Sequence, residues 1–277
     1  MAPASPLRRP APASPAPSGA VLDVRGLTLD YPGEGGALRA VEDVSFSVEQ
    51  GERLMLLGPS GCGKSTILKA LAGFLAPAAG TVSVRGRAVS GPGPDRIVVF
   101  QEFDQLLPWK SVRDNVAFPL RVARGLSRAE ARERAGEALR KVGLARAVDA
   151  YPHTLSGGMK QRAAIARALA SEPDVLLMDE PFAALDALTR RTLQEDLLAL
   201  ADEHRFTLVF VTHAIDEAVL LGTRLHLLAA HPGRTVATFE TGHLGFADQG
   251  SAPFDAVVRE VEALLFAGGK SNGDAHV

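Results

Sequence analysis

RLMLLGPSGCGKSTILKALA, Arg53 to Ala72, is the stretch from which the fold is read. Arg53 to Leu57 is a short apolar run that ends in glycine and opens into Ile67, Leu68 and Leu71, which are spaced for one face of a helix. Strand, glycine loop and helix follow in that order. The loop, GPSGCGKST from Gly58 to Thr66, matches G-x-x-x-x-G-K-[ST] with Gly58, Gly63, Lys64 and Ser65 at the defining places. Glycines let the chain curl until successive backbone N–H groups point at phosphate oxygens, and the helix that follows adds its positive N-terminal end. Pro59, Ser60, Gly61, Cys62 and Thr66 complete the cradle. Lys64 is suited to neutralise the β- and γ-phosphates, and the Ser65 hydroxyl to ligate Mg²⁺.

On either side of this unit the pattern is α/β. Val21 to Asp30 and Leu38 to Val48 alternate apolar and polar residues around a PGEGG turn at Pro32 to Gly36, which predicts an antiparallel hairpin. Thr81 to Val89, Ile97 to Phe100, Val175 to Met178, Thr207 to Val211 and Arg224 to Leu228 read as further strands, the later ones alternating with helical segments. That alternation predicts a parallel sheet covered by helices. From Gln105 to about Ala170 no strand is evident, and Ser127 to Leu144 opens with a capping box in which Ser127 is the N-cap and Glu130 sits three residues on. A helical insertion over about 102–165 is the expectation. Phe254, Val257, Val258, Val261, Leu264 and Leu265 form the stripe of a terminal helix.

Composition narrows the function. At 277 residues the chain has room for one to two domains of ~150 residues. With 30 Lys+Arg against 32 Asp+Glu the net charge is only −2, which excludes a strongly basic nucleic-acid binder. A single cysteine, Cys62, cannot form an intrachain disulfide, so the expected compartment is a reducing one. No apolar run reaches the roughly 18 residues of a membrane span. Residues 1–20, rich in Pro and Ala with only Arg8 and Arg9 charged, read as a disordered tail without the apolar core of a signal peptide, and Ala267 to Val277 as a frayed end.

A phosphate loop is shared by kinases, GTPases, helicases and transport ATPases, and the acidic partner separates them better. VLLMDEP, Val175 to Pro181, is an apolar strand ending in two carboxylates: Asp179 is placed to hold the Mg²⁺ shell and Glu180 to polarise an attacking water. No Asn-Lys-x-Asp tetrad marks guanine recognition. LSGGMKQR, Leu155 to Arg162, sets Ser156 as an N-cap before Gly157 and Gly158 and a strong helix former. That is a second anion-binding helix start, and one nucleotide does not need two cradles in one subunit. Two copies facing head to tail use both.

With these motifs in this order, the sequence resembles the nucleotide-binding subunits of ATP-binding cassette (ABC) transporters over about Val21 to Leu228. The resemblance implies a RecA-like P-loop NTPase core with an antiparallel β subdomain and an inserted helical subdomain. It places Lys64 in the Walker A motif, Asp179 and Glu180 in Walker B, and Ser156, Gly157 and Gly158 in the signature motif. Gln101 matches the Q-loop, Asp186 in ALDA the D-loop, His213 the switch histidine that follows the strand and lies 33 residues past Glu180, and Tyr31 the aromatic that stacks on adenine. Implied ligands are ATP and Mg²⁺, with Gln101 joining Ser65 and Asp179 around the metal.

Implied partners are a second copy of the chain, integral membrane permease subunits and, indirectly, a periplasmic or lipid-anchored substrate-binding protein, at the cytoplasmic face of the inner membrane. The helical insertion is expected to receive the coupling helix of the permease. Its wording, QEFDQLLPWKSVRDNVAFPL from Gln101 to Leu120, is similar to the nitrate, sulfonate and taurine importer branch. Phe103, Leu106, Leu107 and Trp109 form its apolar set, with Trp109 readable as either an interface anchor or a core filler. A soluble cassette of DNA repair or iron–sulfur assembly is the competing class. Neither heptads nor CxxC pairs accompany the motifs, and the remaining histidines (153, 204, 226, 231, 243 and 276) share no metal-ligand spacing.

Overall fold

The computed structural model describes residues 19–33, 36–101 and 105–269. Most of the proline-rich tail, Glu34 and Gly35 of the expected turn, Phe103 of the apolar set, and residues 270–277 of the expected frayed end lie outside the described residues. Two compact units are formed: Met1–Pro92 with Thr207–Val277, and Gly93–Phe206.

In the first unit, β1 (Ala20–Gly33) pairs antiparallel with β2 (Gly36–Glu49), as the alternation predicts, and also with β4 (Ala79–Val84), which pairs with β5 (Arg87–Ala88), giving the order β2-β1-β4-β5. The segment Thr81 to Val89 is not one strand. Arg85 and Gly86 both take positive φ, 46° and 73°, turning the chain so that β5 is only Arg87–Ala88. β1 also starts one residue before the expected Val21, because Ala20 already pairs with Glu49.

The same unit holds β3 (Arg53–Leu57), β8 (Thr207–Thr212), β9 (Arg224–Ala229) and β10 (Arg234–Glu240) in the order β10-β9-β3-β8. β3 runs parallel to β8 and β9. All six residues of β8 are buried, as expected of a parallel strand covered on both faces. β10 was not anticipated; it returns antiparallel along β9. Helices α1 (Lys64–Ala72), α6 (Ile215–Leu221) and α7 (Ala252–Gly269) complete the unit. Phe254, Val257 and Val261 are the buried stripe of α7, and the helix continues to Gly269 where a frayed end was expected from Ala267.

In the second unit, β6 (Arg96–Val99) and β7 (Val175–Asp179) are a parallel pair. Between them in sequence come α2 (Val112–Arg124), α3 (Arg128–Lys141) and α4 (Gly157–Ala170), and after β7 comes α5 (Ala187–His204). The Ser127–Glu130 capping box forms as read, and Ala131, Ala135 and Leu139 give α3 its buried face. No strand interrupts Gln105 to Ala170 among the described residues. No helix of the described residues is long and apolar enough to cross a membrane.

Candidate functional site

Within the first unit the phosphate loop leaves the end of β3 and enters α1. Gly63, the residue before the helix, sits at φ 87°, and a Cβ there would lie 2.5 Å from Val41 Cγ2, so only glycine allows this turn. Gly58 is equally enclosed: an added Cβ would be 2.6 Å from Cys62 Sγ. No side chain caps α1, whereas Ser111, Ser127, Ser156 and Asp186 cap α2 to α5. A helix start without a side-chain cap, under a glycine loop, fits a phosphate.

Lys64 is 6% exposed and folds back over the loop. Its ammonium donates to the carbonyls of Gly58 at 2.7 Å and Pro59 at 3.0 Å, and lies 3.8 Å from Cys62 Sγ. Burial pushes the Cys62 thiol above its ordinary value, with nearby Lys64 acting weakly in the opposite sense. A buried thiol held protonated is a space-filler, not a nucleophile. Tyr31, near the end of β1, donates from its hydroxyl to Thr66 Oγ1 at 3.3 Å, so the strand-end aromatic and the phosphate loop are brought together.

His213 directly follows β8. The turn that carries it is held by Thr212, whose hydroxyl donates to Glu217 and accepts from the Ala214 N–H at 3.0 Å.

One connection beside the loop, carrying His231, is not legible in the sequence. Gly233 N–H donates to the Ala40 carbonyl and Glu42 N–H to the Gly233 carbonyl, both at 2.9 Å, which holds the β9–β10 connection against Cys62. The His231 ring there lies 3.6 Å from where a Gly61 Cβ would stand. The Pro-Gly pair at Pro232–Gly233 was the available signal.

In the second unit Asp179 ends β7 and Glu180 follows with φ 44°, a left-handed backbone rare for a non-glycine residue. Ser156 caps α4 by accepting from the Met159 N–H at 3.3 Å. Gly158 is pressed against α5: a Cβ there would meet Thr189 Cγ2 at 2.7 Å. Asp186 caps that helix, accepting from the Thr189 N–H at 3.0 Å, and this bond holds its carboxyl below the usual carboxylate range. The signature turn and the Asp186 turn are thereby neighbours. Gln101 is exposed just beyond β6.

Trp109 is 71% exposed, so it is not a core filler. Phe118 and Val122 on α2 are exposed as well, and Lys110 Nζ lies 5.2 Å over the Phe118 ring. Leu106, by contrast, is only 3% exposed: it belongs to the core and not to the exposed apolar set.

A glycine phosphate loop in the first unit, with an acidic strand end and a capped Ser-Gly-Gly helix in the second, defines a phosphate-loop nucleoside triphosphatase of the cassette class. Comparison with known proteins agrees: the family model described as "ABC transporter" matches residues 41–183. The taurine import ATP-binding protein TauB of Rhizobium johnstonii is 51% identical over 239 residues, covering 83% of this chain and 90% of that one. The nitrate import ATP-binding protein NrtD of Synechococcus elongatus is 49% identical over 207 residues, covering 74% and 75%. Among solved structures, the dimeric post-hydrolysis state of the cassette MJ0796 bound to ADP and Pi superposes with a TM-score of 0.68 at 33% identity, over 77% of this chain and 98% of that one. The chain belongs to the ABC transporter family, as an ATP-hydrolysing cassette.

Proposed function

We propose that this ATPase energises a membrane importer for a small anion of the nitrate, sulfonate or taurine kind, as one of two copies that close over two ATP molecules beneath a permease at the cytoplasmic face of the inner membrane. The observation that supports it is an intact phosphate loop in a chain 51% identical, over 83% of its length, to a taurine import ATP-binding protein. A substrate-binding protein outside the membrane selects the cargo in this reading, and nucleic acid plays no part.

Roles follow from chemistry. The cradle 58–66 and Lys64 bind the triphosphate, and Tyr31 stacks on adenine. Lys64, held over the loop by its bonds to the Gly58 and Pro59 carbonyls, is a charged donor for phosphate oxygens, which are stronger partners for an ammonium than neutral carbonyls. Glu180 accepts the proton of the attacking water, with Gln101 and His213 aligning that water and the γ-phosphate. Ser65, Gln101 and Asp179 offer a hydroxyl, an amide and a carboxylate oxygen, the hard donor set that suits Mg²⁺. When bound, Mg²⁺ screens the charge on the β- and γ-phosphate oxygens. Ser156, Gly157 and Gly158, with Asp186 beside them, face the second copy's ATP. Trp109, Phe118 and Val122, exposed apolar side chains of the helical insertion, are offered to the permease.

Proteoliposomes holding this chain, its neighbouring permease and binding protein provide the test. ATP-dependent uptake of labelled taurine, nitrate or an alkylsulfonate supports the reading. Uptake of none of these, with ATP hydrolysis intact, rejects the substrate class.

A further inference from the structure

Gln105 makes an unusual set of bonds. Its side-chain amide closes on one residue from both sides, donating from Nε2 to the Phe100 carbonyl at 2.9 Å and accepting at Oε1 from the Phe100 N–H at 3.3 Å. Phe100 immediately precedes Gln101, so this pair of hydrogen bonds fixes the peptide that leads into Gln101. Gln105 is held in turn by Arg167 of α4, whose Nη1 donates to the Gln105 carbonyl at 2.8 Å while Nη2 lies 3.5 Å from Oε1. The cation beside Oε1 sets which end of the amide faces which group. Burial lowers the Arg167 pKa from its ordinary value, so the guanidinium sits where water competes little for its donors.

The segment following Gln105 is equally fixed. Asn115, fully buried on α2, accepts from the Leu107 N–H at 2.7 Å and donates to the carbonyls of Leu107, Lys110 and Ser111, each at 3.1 Å. Trp109 rides on this braced loop.

We propose that Arg167 and Gln105 are positioning residues that lock the peptide leading into Gln101 to the helix beginning at Ser156. This rests on the reading of Gln101 as a group at the reacting phosphate. The network is contiguous, and every link in it is a hydrogen bond or one peptide unit. ATP binding is assigned to the phosphate loop, so loosening the lock acts on turnover and spares affinity.

The test uses the full chain, comparing Gln105→Ala, Gln105→Glu, Arg167→Lys and Gln101→Ala by steady-state ATPase kinetics, ATP binding, thermal melting and acrylamide quenching of Trp109, the only tryptophan. For Gln105→Ala, kcat should fall about ten- to a hundredfold, the cost of a small misplacement at a reacting centre, with KM and melting temperature nearly unchanged. Quenching should rise as the loop loosens. Gln105→Glu keeps the acceptor for Arg167 and the Phe100 N–H but loses the donor, and should fall between Gln105→Ala and wild type. It also serves if the alanine variant does not fold. Wild-type kcat in Gln105→Ala, with Gln101→Ala impaired, overturns the lock alone. Wild-type kcat in Gln101→Ala overturns the reading of Gln101 and the lock with it. A joint loss of kcat, affinity and melting temperature assigns both residues to mere structure and overturns the proposal too.

Discussion

Lys64 carries the most exacting demand on any single side chain here. It is almost wholly buried, and its ammonium donates to two loop carbonyls at 2.7 and 3.0 Å, so its charge is held inside the loop. Replacing it with alanine removes the cation closest to the triphosphate, and ATP affinity should drop at least about tenfold, the worth of one charge-assisted bond of ~1.5–3 kcal/mol. Isothermal titration checks this; near-wild-type binding sinks the phosphate-loop assignment. Glu180→Gln isolates a different step. An amide cannot take the proton of the attacking water, so single-turnover hydrolysis should slow by about 10²–10⁴ while ATP still binds. Both residues were legible in the sequence because their chemistry is declared by neighbours within a few positions. Arg167 and Gln105 were not. They are joined by contacts across 62 residues, and an Arg and a Gln at that separation look like any two polar residues.

At the scale of elements, β9 buries His226. Its Nε2 lies 2.9 Å from Thr235 Oγ1 on β10, and its ring is 5.2 Å from Phe46. Desolvation, with Arg224 adding a smaller effect, lowers its pKa from 6.5 to about 3. Between these values the unfolded chain binds a proton that the folded one refuses, so this contribution to stability is complete above pH 6.5 and is lost as the pH falls toward 3. At up to ~1.4 kcal/mol per pH unit, stability should fall by about 2 kcal/mol more between pH 7 and 5 in wild type than in His226→Gln. Urea midpoints at the two pH values decide it, and equal falls in both proteins reject the assignment.

Elements also show where sequence reading fails. The caps at Ser127 and Ser156 were legible because a cap is a local hydrogen bond. β10 was passed over because its alternation begins just after a His-Pro-Gly turn and its partner, β9, had to be known first. The break at Arg85 was hidden for another reason: an arginine rarely takes a left-handed backbone, and nothing in its side chain announces one.

For the molecule as a whole, the proposed pairing of two copies gives Glu180→Gln a second signature. ATP that binds without being consumed should hold the dimer closed, so size exclusion with ATP and Mg²⁺ should show a species of twice the 29.1 kDa chain mass. A monomer at high protein concentration contradicts the two-site arrangement. Docking to a permease makes a separate demand. Trp109 is 71% exposed and lies outside the phosphate loop in sequence, so Trp109→Ala should leave ATP binding unchanged and weaken co-purification with the permease by about 1–3 kcal/mol. Unaltered complex formation moves the docking face elsewhere.

The left-handed backbone at Glu180 bears on how this protein can change over generations. At φ 44°, any residue with a Cβ carries a conformational cost of about 1–2 kcal/mol that glycine does not. Glu180→Gly should therefore melt higher than Glu180→Ala, although both lack the carboxylate. With Glu180 in its proposed role, a laboratory selection for heat tolerance alone would reward glycine at this position and discard turnover in doing so. On that reading, selection for turnover is what keeps a carboxylate on so unwelcoming a stretch of chain.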